Sequence, residues 1–495
     1  MVDGKKVRNM YEVLKELEKQ SGHEVIIKYM VGTEVVEITG TRFFADVRAH
    51  SRALRKCGLT GKHVGLIGGN HYMWMVSFCA IFQAGAVAVP LNRELSPEEI
   101  ADSAEQVDLD AILYDGEAEQ AVWDAELPEA LQRIPMTETA DEWEPGNEES
   151  VESGPEELCC IFFTSGTMAR QKAVMLSQRA MITGVCCQMI VEGVQALLAV
   201  LPFHHLAGFN PALNALCLGK ILCFADDLKY LYRYLEGMKP DYVLTVPSML
   251  QSIARKLKKA GPNGCTLGWN LRVLACGGAK FQPEIGRILM EKKIKVLQSY
   301  GASEAGGLGF SWEMTPERPN TIGKPWGGLE AKIVDGELFL RSDSVMMGYY
   351  KDEEATKEVL VDGWYATGDL CYQDQDGYFY LTGRKKLLII LSNGENISPE
   401  EIETRLRACP DVREVLVGVE QNLIAATVFP NYPAGCTERE HREIKRRIEQ
   451  AVQQYNDRVP VYKQVQTLHF TEQPFAKTAM GKMIRRSVMT GGKPQ

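Results

Sequence analysis

Residues Phe162 to Ser177 read FFTSGTMARQKAVMLS and close an apolar run, LCCIFF, that begins at residue 158. A second apolar run, AVML, follows, so the stretch predicts two strands joined by a loop. Hydroxyls, a glycine and a lysine in that loop suit the oxygens of a polyphosphate. It is not a Walker loop, because that motif opens a helix and Gln171-Lys172-Ala173 opens a strand. Alone, the loop does not distinguish a phosphate site from a surface turn.

Short apolar runs alternate with helical patterns on both sides of this loop. Helices are predicted from Ser96 to Val107 and from Pro247 to Ala260. The uncharged stretch from Val64 to Asn92 predicts a buried helix ending at Gly85 and then a strand, because Pro90 and several polar residues make a membrane span unfavourable. Strands are predicted at HVGLIGG, AVAVPL, AILYDG, LCCIFF, ALLAVLP, ILCFA, YVLTVP, LRVLACGG and KVLQSYG. The alternation indicates a layered, mostly parallel α/β fold.

The pattern changes after about residue 320 to short strands with tight turns. Hairpins are predicted at Asp335-Gly336 and within YQDQDGYFYLTG. A further unit is predicted from Lys385, with strands LLIIL, EVLVGV and LIAATVF and a helix that starts at Ser398-Pro399. The acidic stretch 138–157 is predicted to be an exposed linker.

A domain boundary is therefore predicted near Gly383-Arg384. We expect a large N-terminal domain, residues 1–383, of layered sheets with helices plus a small β subdomain. Residues 384–495 are expected to form a small, mobile α+β C-terminal domain.

The composition is that of a globular protein that binds small molecules. Hydrophobic residues make up 45% and charged residues 24% of the chain, and the net charge of −10 argues against nucleic-acid binding. The 13 cysteines form no CxxC pair and no zinc-finger spacing, so we expect reduced thiols and a cytoplasmic location. The N-terminus lacks the pattern of a secretory signal.

Five more stretches carry polar side chains that follow apolar runs or lie near the C-terminus. Loops at strand ends are where open α/β sheets bind ligands, so these side chains are candidates for one crevice. They are LPFHHLAGF with His204 and His205, SYGASEAGG with Tyr300, Ser303 and Glu304, DGWYATGDL with Asp369, GRKKLLIILSNGENISPEEIE with Arg384 and Lys386, and FAKTAMGKMIRR with Lys477 and Lys482.

Together and in this order, the six stretches resemble the adenylate-forming superfamily of acyl- and aryl-CoA ligases, peptide-synthetase adenylation domains and firefly-type luciferases. The similarity runs from about Glu37 to Arg486. It implies an ATP- and Mg²⁺-dependent acid–CoA ligase that first forms an acyl-adenylate and then a thioester with coenzyme A. The implied partners are a carboxylic acid, ATP and CoA, or an acyl carrier protein in place of CoA, with the enzyme a monomer or homodimer.

The resemblance implies the nucleotide site residue by residue. Glu304 would hold Mg²⁺, and Asp369, assisted by Arg384, would accept hydrogen bonds from both ribose hydroxyls. Lys482 would bridge the substrate carboxylate and the α-phosphate. Phosphate contacts are implied for Thr164, Ser165, Gly166, Thr167, Lys172 and Ser303, and adenine contacts for Tyr300, Gly301, Gly278 and Ala279.

The resemblance also implies where the acid and the thiol bind. His205 would lie beside the carboxylate and the thiol path, as a gate residue. Lys386 would be the hinge about which the C-terminal domain rotates to bring Gly394 near the thiol. LPFHHLAGFNPALNAL has no Asp to hold an α-ammonium group, which favours a simple carboxylic acid over an amino acid. The acyl pocket is expected around His205, Asn210, Val246, Pro247, Gly277 and Gly278.

Two rival functions remain open at the level of sequence. GASEA, Gly301 to Ala305, resembles the nucleophile elbow of a hydrolase, although glycines rather than a helix follow it. A non-catalytic binder is suggested by Met168-Ala169-Arg170-Gln171, which replaces the flexible glycine-containing tip of the superfamily's phosphate loop.

Overall fold

This computed structural model describes residues 2–137, 153–164, 171–187, 193–259, 269–277, 283–390, 396–420, 423–433, 435–477, 483 and 485. The predicted linker at 138–157 lies largely outside these residues. The helices, in chain order, are α1 (Met10–Ser21), α2 (Gly40–Lys56), α3 (Tyr72–Ala84), α4 (Pro97–Gln106), α5 (Glu119–Asp124), α6 (Gln178–Cys186), α7 (Leu206–Cys217), α8 (Leu231–Gly237), α9 (Pro247–Lys259), α10 (Pro283–Glu291), α11 (Glu353–Val359), α12 (Pro399–Leu406) and α13 (Glu438–Asn456).

The strands are short and are spread over the whole chain. In chain order they are β1 (Val25–Val31), β2 (Glu34–Thr39), β3 (His63–Ile67), β4 (Val87–Leu91), β5 (Ala111–Tyr114), β6 (Gln132–Pro135), β7 (Leu158–Phe163), β8 (Ala173–Ser177), β9 (Ala196–Ala199), β10 (Ile221–Phe224), β11 (Tyr242–Thr245), β12 (Val273–Cys276), β13 (Lys295–Gly301), β14 (Gly309–Glu313), β15 (Lys324–Pro325), β16 (Glu330–Val334), β17 (Glu337–Arg341), β18 (Gly348–Tyr349), β19 (Leu360–Val361), β20 (Trp364–Gln373), β21 (Phe379–Arg384), β22 (Ile389–Ile390), β23 (Asn396–Ile397), β24 (Val412–Glu420), β25 (Leu423–Pro430) and β26 (Val465–Phe470).

Two large sheets have parallel centres, with antiparallel strands at one edge of the seven-stranded sheet and at both edges of the nine-stranded sheet. One has the strand order β18-β8-β7-β4-β3-β5-β6, and the other has the order β15-β14-β13-β12-β11-β9-β10-β1-β2. The pairs β3–β4, β3–β5 and β4–β7 are parallel, whereas β7–β8 and β8–β18 are antiparallel. In the second sheet β9 to β13 pair in parallel, and β14 and β15 continue it antiparallel. The layered α/β fold predicted from the sequence is confirmed.

Helix α3 lies in the largest core, as predicted from its uncharged sequence. The His71 side chain caps its first turn by accepting from the Trp74 amide, and the helix ends at Gly85 with φ of 73°. The Phe78 ring centroid is 4.2 Å from that of Phe209 on α7 and 6.5 Å from that of Phe162 on β7. Burial of such aromatic rings contributes about 1.5–3 kcal/mol each. In this core α3, which follows β3 of one large sheet, packs against α7, which follows β9 of the other.

The chain divides into two compact units. Unit 1 comprises Met1–Ala331 and Leu340–Tyr365, and unit 2 comprises Lys332–Phe339 and Ala366–Gln495. The boundary predicted near 383/384 falls inside unit 2, and it stays a prediction, because compactness in one conformation does not identify the point at which a domain rotates. No helix among the described residues is long and apolar enough to cross a membrane.

Unit 2 contains the hairpin β20–β21 and a small sheet of order β24-β25-β26 packed against helices. Ser398 caps α12 with Pro399 in its first turn, as predicted. The strand in the LLIIL segment begins later than predicted, because Lys385–Leu387 form a 3₁₀ turn and the pairing with β23 starts at Ile389; Leu391 lies outside the described residues. The apolar side chains of Ile402, Val415, Ile424 and Ile448 are among those that form this unit's own core.

Candidate active site

The predicted phosphate loop starts and ends on the paired strands β7 and β8. The Thr164 amide donates to the Lys172 carbonyl over 2.9 Å, and the Lys172 amide donates to Thr164 Oγ1 over 3.4 Å. These bonds continue the antiparallel pairing by one more residue on each side. Both ends of the loop are therefore fixed to the sheet. Ser165, Gly166 and Thr167 lie outside the described residues.

A tyrosine brings two predicted site residues, Lys172 and Glu304, into one cluster. Tyr349 lies on the edge strand β18, opposite Val174 of β8. Its hydroxyl donates to Glu304 Oε1 over 3.0 Å, and the Lys172 ammonium lies 4.3 Å from the centre of its ring. The Met346 amide also donates to the Glu304 carbonyl over 2.8 Å. A carboxylate and an ammonium thus flank the same buried aromatic ring.

The electrostatics of this cluster keep the phenol protonated. Burial, and next the Glu304 carboxylate, raise the pKa of Tyr349 well above its usual range. The protonated phenol donates its hydrogen bond to the Glu304 carboxylate. The Lys172 ammonium is stabilised by the electron-rich ring face. The cluster therefore presents one anionic and one cationic group next to the predicted phosphate loop.

Asn210 connects helix α7 with the turn that carries Glu304. Its Nδ2 donates to the Gly306 carbonyl over 2.8 Å, and its side chain is fully buried. A Cβ on Gly307 would lie 2.7 Å from this nitrogen, so the glycine permits the close approach. Among the described residues, no hydrogen-bond partner occurs for Asn210 Oδ1, which leaves an acceptor for a ligand or water.

The histidine pair lies where β9 leads into α7. The rings of His204 and His205 have centroids 4.2 Å apart, and His205 is the residue that precedes the first turn of α7. Burial, followed by the charges of His205 and Arg93, holds the pKa of His204 well below its usual range. A neutral, buried imidazole therefore lies beside the predicted gate residue.

Asn70 fixes the backbone that leads into the histidine pair. It follows β3, and its Nδ2 donates to the Leu201 carbonyl over 2.7 Å. Its Oδ1 accepts from the Phe203 amide over 3.0 Å. Both polar atoms of one buried amide are thus used to hold the segment just before His204. A residue from one large sheet thereby sets the position of a loop in the other.

Neighbouring strand ends carry further predicted residues. Tyr300 and Gly301 end β13, and the Tyr300 ring packs edge-on against Phe310 of β14 at 5.8 Å. Gly277 follows the parallel neighbour β12, and its amide donates to the Thr245 carbonyl at the end of β11. Val246 comes next after β11 and is buried. The carboxyl ends of parallel strands meet at one edge, so these residues share that edge.

Ser303 lies in a 3₁₀ turn that Gly306 ends with φ of 63°, and β14 follows that turn. A helix would have been needed to support a nucleophile elbow here. The local structure therefore gives no support to the hydrolase alternative.

In unit 2, Asp369 and Arg384 form an ion pair across the hairpin β20–β21. They are directly opposite in the pairing, and Arg384 Nε lies 2.8 Å from Asp369 Oδ1. The Asp369 side chain is buried, whereas that of Arg384 is half exposed. The Asp369 amide donates to Thr367 Oγ1, which fixes the backbone of the same turn. Lys386, the predicted hinge residue, is exposed in the 3₁₀ turn that follows.

The structure brings part of the predicted site together. Within unit 1, Lys172 lies close to Thr164 and, through Tyr349, to Glu304, and Asn210 contacts the turn that carries Glu304. Within unit 2, Asp369 and Arg384 form an ion pair. The predicted residues Ser165, Gly166, Thr167, Gly278, Ala279, Gly394 and Lys482 lie outside the described residues.

Sequence reasoning missed Tyr349. Its GYY context precedes an N-capped helix, α11, and gives no sign that a two-residue strand pairs with β8. The available signal was weak: Tyr349 follows the apolar pair Met346-Met347 and comes three residues before the Asp352 cap. The pairing itself joins residues far apart in the chain, so no local pattern encodes it.

Two protein families match successive parts of this chain. The family described as AMP-binding enzyme matches residues 14–350, and the family described as AMP-binding enzyme C-terminal domain matches residues 386–491. A long-chain-fatty-acid–CoA ligase of Mycobacterium bovis is 25% identical over 492 residues, covering 85% of this chain and 82% of that protein. A feruloyl-CoA synthase of an Amycolatopsis species is 30% identical over 390 residues, covering 74% of this chain and 77% of that protein.

The fold has a close counterpart among solved structures. The O-succinylbenzoate coenzyme A synthetase of Bacillus subtilis, solved with AMP, superposes with a TM-score of 0.79 at 22% identity. The superposition covers 99% of each chain. Identity at this level shows a shared fold, with a large sheet-and-helix domain, a small β-sheet and a C-terminal domain.

Proposed function

This chain belongs to the AMP-binding enzyme family, and from that premise we propose that it is an ATP-dependent carboxylic acid–CoA ligase. Relatives named as a fatty-acid–CoA ligase, at 25% identity, and as a feruloyl-CoA synthase, at 30% identity, support acid–thiol ligation. The observation that carries the proposal is the cluster in which Tyr349 joins Glu304 to Lys172 beside the phosphate loop. A cation and a carboxylate so placed fit a site for ATP phosphates.

The proposed reaction has two balanced steps. A substrate carboxylate oxygen attacks the α-phosphorus of ATP, the bond to the β-phosphate oxygen breaks, and pyrophosphate leaves with its negative charge. The CoA thiol then releases its proton to water, its sulfur attacks the acyl carbon, and AMP leaves as the bond between the acyl carbon and the phosphate oxygen breaks. The products are the thioester, AMP and pyrophosphate.

The residues near the phosphate loop fit a Mg²⁺–ATP complex. Mg²⁺ is bound in such sites by one or two carboxylates together with phosphate oxygens and water, and it neutralises charge on the phosphates. Glu304 supplies one oriented carboxylate. Lys172 would neutralise charge on the departing pyrophosphate.

The remaining roles follow from the same chemistry. Asp369 is a buried acceptor oriented by Arg384, which suits two ribose hydroxyls. We propose that Lys482 bridges the substrate carboxylate and the α-phosphate, since an ammonium on a long side chain stabilises charge that develops on both. His205 and Asn210 would border the acid, and the absence of an Asp from their helix favours an acid without an α-ammonium group.

Pyrophosphate release tests the activity directly. Purified protein with Mg²⁺–ATP and a panel of aliphatic and aromatic acids should release pyrophosphate, and adding CoA should convert the bound adenylate into a thioester. Thioester on a phosphopantetheinylated carrier protein but not on CoA would instead identify the carrier as the acceptor. No acid-dependent release with any acid would contradict the ligase proposal and favour a non-catalytic binder.

Lys482→Ala separates the two steps. Loss of the ammonium should lower acid-dependent pyrophosphate release at least about a hundredfold, as expected for one electrostatic group acting in the transition state. Thioester formation from supplied acyl-adenylate should change less than about threefold. Equal loss of both steps would show that Lys482 has no role specific to adenylation.

A further inference from the structure

Glu414 holds the chain a few residues before Lys482. It lies on β24 with its side chain buried, and Lys477 Nζ lies 2.5 Å from its Oε1. Its Oε2 accepts a hydrogen bond from the Phe475 amide over 2.9 Å. Both carboxylate oxygens therefore bind the same short segment, residues 475–477. A charge-assisted pair combined with a backbone bond fixes that segment more firmly than an exposed ion pair would.

Glu403 holds the chain just after Lys482. It lies on α12 and is 1% exposed, and Arg485 Nη2 lies 2.8 Å from its Oε2. Its Oε1 accepts from the Val417 amide of β24 over 2.9 Å, and Arg407 Nη2 lies 3.1 Å from its Oε2. The carboxylate is thus satisfied on all sides by fixed groups. A buried carboxylate that loses one of these partners keeps an uncompensated charge.

The two held positions are paired with each other. Lys477 and Met483 form an isolated antiparallel bridge, which places the residue after Lys482 opposite the residue that Glu414 holds. The chain from Phe475 to Arg485 therefore has a fixed entry and a fixed exit on unit 2. The five-residue stretch between the bridge partners, including Lys482, lies outside the described residues.

We propose that Glu403 and Glu414 are positioning residues for Lys482 that hold both ends of its segment to α12 and β24. The proposal rests on the role assigned to Lys482 above. A lysine side chain has several rotatable bonds, so an ammonium that must reach one phosphate depends on where its backbone is held. A displacement of about 1 Å from the productive geometry can cost about a hundredfold in rate.

The competing interpretation is that both carboxylates only stabilise unit 2. Asp411 provides a matched control, because it forms a bidentate ion pair with Arg447 of α13, at 2.6 and 2.9 Å. That pair lies in the same unit, and neither side chain forms a hydrogen bond or an ion pair with the described residues of 475–485. Asp411→Asn therefore removes an ion pair of similar geometry without touching the Lys482 segment.

The kinetic test compares the two half-reactions. Glu414→Gln and Glu403→Gln should each lower acid-dependent pyrophosphate release at least tenfold and change thioester formation from supplied acyl-adenylate less than threefold. Asp411→Asn should change each half-reaction less than threefold. Equal losses in both half-reactions, or no loss in either Glu variant, would overturn the positioning role.

Hydrogen exchange gives a second readout that does not need activity. Peptides covering residues 475–485 should exchange at least tenfold faster in Glu414→Gln and Glu403→Gln than in wild type, with the peptides of α13 unchanged. Asp411→Asn should leave the exchange of residues 475–485 unchanged. If wild type forms no acyl-adenylate, the proposed function fails, and unchanged exchange in the Glu variants would separately overturn the anchoring.

Discussion

At the scale of single residues, the site depends on polar groups that are fixed by specific partners. Tyr349 is held between Glu304 and Lys172, and Asn210 is held against the Glu304 turn. The sequence predicted Lys172, Glu304 and Asn210 as site residues because their types and motif positions suit the chemistry. It did not identify Tyr349, whose importance comes from a partner 45 residues away in the chain.

Tyr349→Phe tests the role of the phenol. Loss of one hydrogen bond to a charged group, worth about 1.5 kcal/mol or more, should loosen Glu304 and raise the Mg²⁺ concentration for half-maximal pyrophosphate release about tenfold. Tyr350→Phe is the matched control, since it removes a similar bond to Asp108 at 2.8 Å on the surface. Equal effects of the two substitutions would contradict a specific role for Tyr349.

His204 should make stability depend on pH. Its pKa is lowered in the folded state by burial, whereas in the unfolded chain it is about 6.5. The contribution of His204 to the free energy of unfolding is therefore fully present above pH 6.5. It is lost as the pH falls below 6.5, because only the unfolded chain takes up a proton at this side chain. Between pH 7.5 and 5.5 the loss should be about 1.4 kcal/mol.

The measurement is urea unfolding of wild type and His204→Phe at both pH values. The variant should lose about 1.4 kcal/mol less than wild type over this interval. His50, another buried imidazole whose pKa is lowered by burial, is present in both proteins and cancels in the comparison. The same pH dependence in both proteins would show that His204 does not titrate as described.

At the scale of helices and strands, the sequence predicted most elements but not all of their pairings. Many predicted elements are confirmed, because periodicity and capping are local signals. They include the strands β3, β4, β7 and β9 to β13 and the capped starts of α4 and α12. The antiparallel edge strand β18 had no such signal, since its partner β8 is distant in sequence. The late start of the LLIIL strand, at Ile389, shows that an apolar run alone does not fix where pairing begins.

The pair β13–β14 approaches so closely that only glycine fits at residue 309. A Cβ there would lie 1.8 Å from the Tyr300 carbonyl oxygen, so Gly309→Ala must displace β14. The variant should lose about 3 kcal/mol of unfolding free energy or more, and the Michaelis constant for ATP should rise because Tyr300 moves. Gly116→Ala, where nothing lies within 4 Å of the added carbon, should be nearly neutral by the same denaturation and kinetic measurements.

At the scale of the whole molecule, the α/β class and the two-part organisation were predictable, because strand–helix alternation gives way to hairpins along the chain. Each unit has its own buried core, one that includes Ile81 on α3 and another that includes Ile448 on α13. The limit between the two compact units was not predictable from composition, since residues 366–384, which belong to unit 2, continue the hairpin pattern up to the predicted boundary.

Separate cores should give separable unfolding transitions. Ile81→Ala and Ile448→Ala remove the same atoms from two fully buried positions, and each should cost about 2–5 kcal/mol. Differential scanning calorimetry should show that each substitution shifts a different transition. A single transition that moves equally with both substitutions would mean that the two units unfold as one cooperative block.

The buried amide of Asn70 limits how this gene can be recombined with those of its relatives. Asn70 satisfies the backbone at Leu201 and Phe203, so two segments separated by more than a hundred residues must be compatible. A chimera whose single crossover falls between them inherits the amide from one parent and the loop that it holds from the other. Libraries of recombined genes that keep both segments from the same parent should therefore yield a larger share of folded proteins than libraries that separate them.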